Sequence, residues 1–360
     1  MACTCDSMYM CQARSMNVAF LPVYPNPYQR LLRDALAVEG VAVDFLESLP
    51  DSQWLRDNRG RVQILHYHWL SGLYMNRFLT PIQAVKFHER FRLARDLGYR
   101  TVWTAHNILP HRTFLAPLDR AIRRLVMANA DAVITHCEHG RRELLSRFPR
   151  QGSIAVIPLG HYRDAYPSTT SRHEARERLS LEPDQFTYLA LGNIAAYKGL
   201  SDLVDAFKQV AGMRDVLLVA GRNRNQDSVS HLVKTAQSDG RIHLHPQYVP
   251  EEEMQVYLLA ADVMVAPFKR VLTSSSVITG MSFDLPQIVP ALGCLPELVT
   301  PDAGIVYDPQ NVNGLRRALV DIKTRDADQM RGAVRRITDG LGWAAIGRQT
   351  ADVYRSCLAS

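Results

Sequence analysis

The run Val265–Glu297, VAPFKRVLTSSSVITGMSFDLPQIVPALGCLPE, holds the densest set of residues able to grip an anion. Thr273, Ser274, Ser275 and Ser276 stand between a short apolar strand ending at Pro267 and an apolar helix running to about Phe283. A polar turn that opens a helix gathers free backbone N–H groups at the positive end of the helix dipole, which suits a phosphate. The same serines serve equally as N-caps, an ordinary use of Ser and Thr at that place. Glu297, in the turn Gly-Cys-Leu-Pro-Glu, can accept hydrogen bonds from ribose or sugar hydroxyls, or simply favour the N-terminus of the next helix.

A second group follows the strand FTYLAL: Gly192-Asn193-Ile194-Ala195-Ala196-Tyr197-Lys198-Gly199. A glycine, a short loop and a lysine at a helix start supply backbone donors and one mobile point charge, the means to hold a diphosphate. The spacing is not that of a nucleotide-triphosphate loop, and no G-x-G-x-x-G occurs, which argues against a nicotinamide cofactor. Arg222 and Arg224, after the strand DVLLVA, could fork onto phosphate or face solvent. In the first half, His106-Asn107 ends the strand TVWTA, and His66 and His68 lie in ILHYH. His106 ranks first as a group facing a crevice, His68 second, His111 and His136 lower. No H-x-x-x-H pair or H-E-x-x-H is present, so no metal is expected.

The elements that must carry these residues alternate strand and helix throughout, which predicts α/β layers around parallel sheets. Strands are predicted at Asn17–Pro22, Val41–Leu46, Ile64–His68, Thr101–Ala105, Ala132–Thr135 and Ile154–Ile157, with helices at Tyr28–Val38, Phe78–Leu97, Leu118–Ala130 and Glu138–Phe148. Residues 161–184 are polar and charged and read as a linker with a short Arg/Glu helix. The second half repeats the pattern and ends in a helix, Trp343–Cys357. Two doubly wound domains with a crevice between their strand C-termini follow, over residues 16–165 and 166–340, closed by the helix of 341–360.

At 360 residues the chain exceeds what one hydrophobic core usually fills. Apolar residues make up 47% and charged residues 22%, ordinary for a globular enzyme, and no run approaches the length of a membrane span. Residues 1–15 lack an apolar signal core and read as a leader without regular structure. Their cysteines, Cys3, Cys5 and Cys11, have no standard metal spacing, and Cys137, Cys294 and Cys357 read as scattered buried thiols, consistent with a reducing cytoplasm. The net charge of +6 is uneven: residues 1–165 carry 21 Lys and Arg against 14 Asp and Glu. A basic half with interleaved apolar residues, as in His88–Arg95 and Arg120–Val126, fits peripheral contact with an anionic membrane, or equally solvated helix faces. No nucleic-acid-binding motif accompanies it.

The order of these motifs resembles the GT-B glycosyltransferases, in particular family 4 and its relatives. The resemblance rests on LGNIAAYKGLSDLVDAF, LLVAGRNR, RIHLHPQYVPEEEMQVYLLAADVMVAPF and MSFDLPQIVPALGCLPELVTPDAGIVYDP, spanning about residues 187–309. The first half matches more loosely through TAHN, AVITHCEHGRRELL and VIPLGHY. It implies two Rossmann-like domains, a last helix that crosses back to the N-terminal one, and transfer of a hexose from a GDP- or UDP-sugar to a glycan or lipid-linked acceptor. Lys198 would bind the donor diphosphate. Asn193 stands where the family usually has a second cation, which Arg222 or Arg224 would replace. Gln247-Tyr248-Val249-Pro250 would hold the base, largely through backbone groups, and Glu297 matches the family's P-E turn. His106 would orient or deprotonate the acceptor hydroxyl, with His68, Asn107 and His111 nearby. The family's paired glutamates are absent: Val271 and Thr279 occupy their places, so the serine loop would carry the phosphate and sugar contacts. The missing carboxylates leave open a non-catalytic nucleotide-sugar-binding partner of another transferase, and the shared fold an epimerase.

Overall fold

The computed structural model describes residues 16–359 except Pro25, Arg77, 111–114 and 224–225, and describes no side chains over 226–231. The predicted leader, His111 and Arg224 therefore lie outside the described residues. Among the described residues twelve strands form two six-stranded sheets, and every strand pair is parallel. The first holds β1 (Met16–Leu21), β2 (Val41–Phe45), β3 (Ile64–Tyr67), β4 (Arg100–Thr104), β5 (Ala132–Thr135) and β6 (Ile154–Val156), in the order β2-β1-β3-β4-β5-β6. The second holds β7 (Phe186–Leu191), β8 (Asp215–Ala220), β9 (Ile242–His245), β10 (Val263–Val265), β11 (Gln287–Pro290) and β12 (Gly304–Tyr307), in the order β12-β11-β10-β7-β8-β9. Helices cover both faces, so the strands are apolar runs rather than alternating ones: all six residues of DVLLVA are buried. The order in which successive strands are added reverses between β1 and β3 in one sheet and between β7 and β10 in the other. Ligands of open α/β sheets bind beyond strand C-termini at such switch points.

The sequence places the helix ends by local chemistry. Asn26 accepts a hydrogen bond from the Tyr28 N–H at 3.1 Å and Pro27 opens the helix Pro27–Val38, which buries Tyr28, Leu32 and Leu36 along one face. The helix predicted from Phe78 starts later, at Thr80, because the Asn76 side chain takes the Phe78 and Leu79 N–H groups into a turn. Two short helices escaped prediction, Ser52–Asp57 and Ser71–Tyr74, each too brief for a periodic pattern. The Arg/Glu helix of the linker runs Arg172–Arg178 behind a capping box of Ser171 and Glu174. It is anchored to the second sheet's layer by Arg176, which donates to the carbonyls of Ala260, Glu182 and Gln185.

The last helix, Trp343–Ala359, crosses back to the first sheet. Its Gly347 lies against Ala35, where an added Cβ would come within 2.8 Å of the alanine's own, and Tyr354 is wholly buried with Val18, Phe20 and Leu32. Its hydroxyl meets His66 Nδ1 at 2.6 Å. Further ties join the halves: the Tyr162 N–H donates to Ser282 Oγ at 2.8 Å, and Arg163 pairs with Asp284 at 3.1 Å.

Cys137 and Cys294 are not separate thiols. They form a disulfide across 157 residues that links the loop after β5 to the turn after β11. Neither lies in a recognisable spacing, so only the packing of the two sheets reveals the pair, and with it the cysteines cease to argue for a reducing compartment. Cys357 is a buried thiol outside the disulfide, as expected. Among the described residues no helix is long and apolar enough to cross a membrane.

Candidate active site

The loops after β7 and β8 are shaped by glycine. Gly192 (φ 111°) and Gly221 (φ 145°) hold backbone conformations that side chains resist, and a Cβ on Gly221 would collide with the Gly192 carbonyl. The Ile194 N–H donates to the Arg222 carbonyl at 2.9 Å, which ties the two loops together. A tight turn, Ala196–Lys198, then ends at left-handed Gly199, packed on the Pro267 carbonyl, before the helix Leu200–Val210. This turn aims Lys198 inward: Nζ donates to Ser276 Oγ at 2.8 Å and lies 4.7 Å above the Phe268 ring. Burial of the ammonium lowers its pKa to about 8.

The loop after β10 brings the hydroxyls. Ser274 caps the helix Ser275–Ser282, accepting from the Val277 N–H at 3.3 Å, and its Oγ lies 3.1 Å from Ser276 Oγ. Capping and ligand reach thus coexist: Ser274 is used by the helix, while Ser275 is exposed and Ser276 shares its hydroxyl with Lys198. Thr279 is buried and donates to the Ser275 carbonyl at 2.9 Å, so this position serves its own helix.

Opposite stands a stack of histidines at the ends of β3, β4 and β5. His136 Nδ1 lies 2.9 Å from the Ile157 carbonyl, which can only accept, so that nitrogen carries the proton. His136 Nε2 then accepts from His106 Nδ1 at 3.0 Å, and His106 Nε2 accepts from His68 Nδ1 at 3.3 Å. The direction of every proton follows from one carbonyl. It leaves His68 Nε2 buried with no partner among the described residues. Burial holds His136 near a pKa of about 4 and His66 near about 3; it keeps His106 and His68 well below the usual imidazole value, aided by the neighbouring rings, so all four are neutral at pH 7. Trp69 stacks on His106 at 4.4 Å and Tyr28 meets it edge-on at 5.0 Å, fixing the ring at the crevice wall.

Both walls face one crevice of about 730 Å³. It brings together His106, Asn107, Asn193, Lys198 and the run Thr273–Ser276. His68 sits behind His106 rather than on the surface. Arg222 is exposed and does not line the crevice; Tyr248 is 66% exposed, and neither it nor Val249 borders the space. Glu297 faces the first sheet's layer: its carboxylate accepts from the Glu138 and His139 N–H groups, at 2.9 and 2.6 Å, at the N-terminus of the helix Glu138–Arg147. Sequence reasoning passed over Tyr28, Trp69 and Arg270, all lining residues. The only signal for Trp69 is its place directly after His68 at a strand end, and for Arg270 its place two residues after an apolar strand and Pro-Phe.

Two family models match the chain, "Glycosyltransferase Family 4" over residues 30–162 and "Glycosyl transferases group 1" over residues 185–324. Over 354 residues the chain is 25% identical to a GDP-mannose:glycolipid 4-beta-D-mannosyltransferase of Xanthomonas campestris pv. campestris, covering 92% of this chain and 89% of that one. It is 23% identical to a D-inositol 3-phosphate glycosyltransferase of Kineococcus radiotolerans, covering 93% and 80%. Among solved structures, a sucrose-phosphate synthase from Thermosynechococcus elongatus superposes with a TM-score of 0.73 at 19% identity, covering 96% of this chain and 99% of that one. The Anabaena protein HepE, in complex with UDP and glucose, also gives 0.73, at 16% identity, covering 95% and 100%. The two matched segments take in five of the six strands of the first sheet and all six of the second, in chain order, and the chain therefore belongs to the GT-B-fold glycosyltransferases of the family 4 type.

Proposed function

We propose that this protein transfers a hexose from a nucleoside diphosphate sugar to the hydroxyl of a lipid-linked saccharide, with residues 166–340 holding the donor and 16–165 the acceptor. One observation carries the reading: a single crevice sets Lys198, Ser276 and the N-terminus of the helix Ser275–Ser282 against the His106-Asn107 wall. In the reaction the bond from the anomeric carbon to the diphosphate breaks, and its electron pair leaves with the phosphate. The acceptor oxygen bonds that carbon and its proton is released. Lys198 and the helix N-terminus stabilise the negative charge on the leaving group, a part that a divalent cation plays elsewhere, and this is the ground for proposing a metal-independent transfer. His106 and Asn107 orient the acceptor; with its Nε2 lone pair turned to His68, His106 contributes position first.

The mannosyltransferase relative, aligned over nine-tenths of the chain, supports GDP-mannose as donor and a glycolipid as acceptor, and a lipid-linked saccharide acceptor would in turn give the enzyme a role in polysaccharide or glycoconjugate biosynthesis. A thermal-shift screen of UDP-, GDP-, ADP- and dTDP-sugars checks the donor: GDP-mannose is expected to raise Tm most, because stabilisation follows affinity. If none of the four classes binds, the reading fails. Val271 and Thr279 at the glutamate positions favour a second reading, a non-catalytic binding partner, which donor binding without turnover on any acceptor would establish.

For a lipid-linked acceptor the enzyme works at the inner face of the membrane, from the cytoplasm. The start of the helix Thr80–Asp96 supports this: Phe78, Ile82 and Val85 are 81, 53 and 57% exposed, beside exposed Lys86. Met75, on the crevice rim, leads directly into this patch. Vesicles of anionic lipid at low salt should sediment the protein, and Phe78→Ser with Ile82→Ser should weaken that binding; protein left wholly in the supernatant contradicts membrane contact.

A further inference from the structure

The crevice is lined by two charged side chains among the described residues, Lys198 and Arg270, and by no carboxylate. The loop Phe268–Arg270 is clamped to the Lys198 turn: the Lys269 N–H donates to the Tyr197 carbonyl at 2.8 Å, and the Phe268 and Tyr197 rings stack at 6.3 Å. Side chains along it alternate in direction. Phe268 lies under Lys198 Nζ, Lys269 turns away to pair with Asp202 at 2.9 Å, and Arg270 comes back to the crevice just before Thr273–Ser276. A nucleoside diphosphate carries at least two negative charges where it meets the protein. Lys198 is one cation, and with a pKa near 8 a partly neutral one in mildly alkaline solution. The helix N-terminus adds roughly half a charge. A second positive charge would offset more of the leaving group's charge, and Arg270 lies in the lining of the crevice.

We propose that Arg270 is a donor-binding residue that contacts the diphosphate together with Lys198, a role that Arg222, away from the crevice, does not fill. The assignment rests on the transferase reading. Guanidinium binds phosphate oxygens in pairs and stays charged at every pH of interest, so Arg270 holds the phosphates on the alkaline side where Lys198 is neutral.

The test compares GDP and GMP binding by calorimetry in wild type, Arg270→Met and Arg270→Lys. Arg270 is exposed, so the variants should keep the wild-type melting temperature. Arg270→Met is expected to lose GDP affinity by about 10- to 100-fold and GMP affinity by no more than about threefold, and Arg270→Lys to recover part of the loss. Unchanged GDP affinity in Arg270→Met, or an equal loss for GDP and GMP, overturns the assignment while leaving the transferase reading in place. A wild type that binds neither GDP nor UDP overturns both.

Discussion

Lys198→Ala should abolish or severely reduce transfer, with kcat falling on the order of 10²–10³-fold, the usual effect of removing one group aimed at developing charge. The fold should survive. Lys198 ends a three-residue turn, its charge costs desolvation, and its polar partner Ser276 can be hydrated through the open crevice. The same residue sets a pH dependence. Its pKa lies near 8 in the free protein against 10.5 for an ordinary lysine, so kcat/KM for the donor should fall as pH rises through about 8, where the ammonium is lost. Stability runs the other way: the buried charge is a burden below pH 8, and that burden is relieved between about 8 and 10.5. A pH profile with no alkaline limb near 8, or a Lys198→Ala variant with wild-type turnover, removes Lys198 from the reaction.

The largest loss of stability is expected at Asp119. Its carboxylate accepts from the Tyr74 hydroxyl and faces Arg123, whose Nη1 lies 3.9 Å away and also donates to Tyr74 at 2.8 Å; both charged side chains are 4% exposed. Asp119→Ala strands a guanidinium in the core, which costs about 3–5 kcal/mol. The damage should reach the crevice, because Tyr74 precedes Met75 on the rim. Denaturant unfolding of Asp119→Ala, alone and with Arg123→Met, separates the causes. The double variant should regain much of the loss, since the stranded charge is then gone. A single variant within about 0.5 kcal/mol of wild type contradicts the account.

How much of this was written in the residue order depends on the range of the interaction. The strands FTYLAL and DVLLVA appear where they were predicted because each is a largely apolar run between punctuating residues. The Lys198 turn was visible for a local reason too: Gly192 and Gly199 occupy backbone conformations that other residues resist, so the glycines had to be there. What depends on two distant segments meeting was not visible. Cys137 pairs with Cys294 only because the loop after β5 faces the turn after β11. The Glu297 carboxylate sits on a helix N-terminus some 160 positions earlier in the chain, a partner that its own turn does not suggest. Arg270 and Trp69 went unmarked because the direction of a loop side chain is set by sheet order, not by its neighbours in sequence. The histidines were noticed one by one as strand ends. That three of them share a single directed hydrogen-bond chain follows from the adjacency of β3, β4 and β5.

The most direct test of the account is transfer itself. Purified protein is incubated with GDP-mannose labelled in the sugar and a lipid-linked saccharide fraction, and label in the lipid phase is followed with and without a chelator. The account predicts label in the lipid phase, release of one GDP per sugar transferred, equal rates with and without the chelator, and loss of the signal in Lys198→Ala. GDP-mannose bound with no label transferred to any saccharide acceptor would contradict it and make the protein a nucleotide-sugar-binding partner instead.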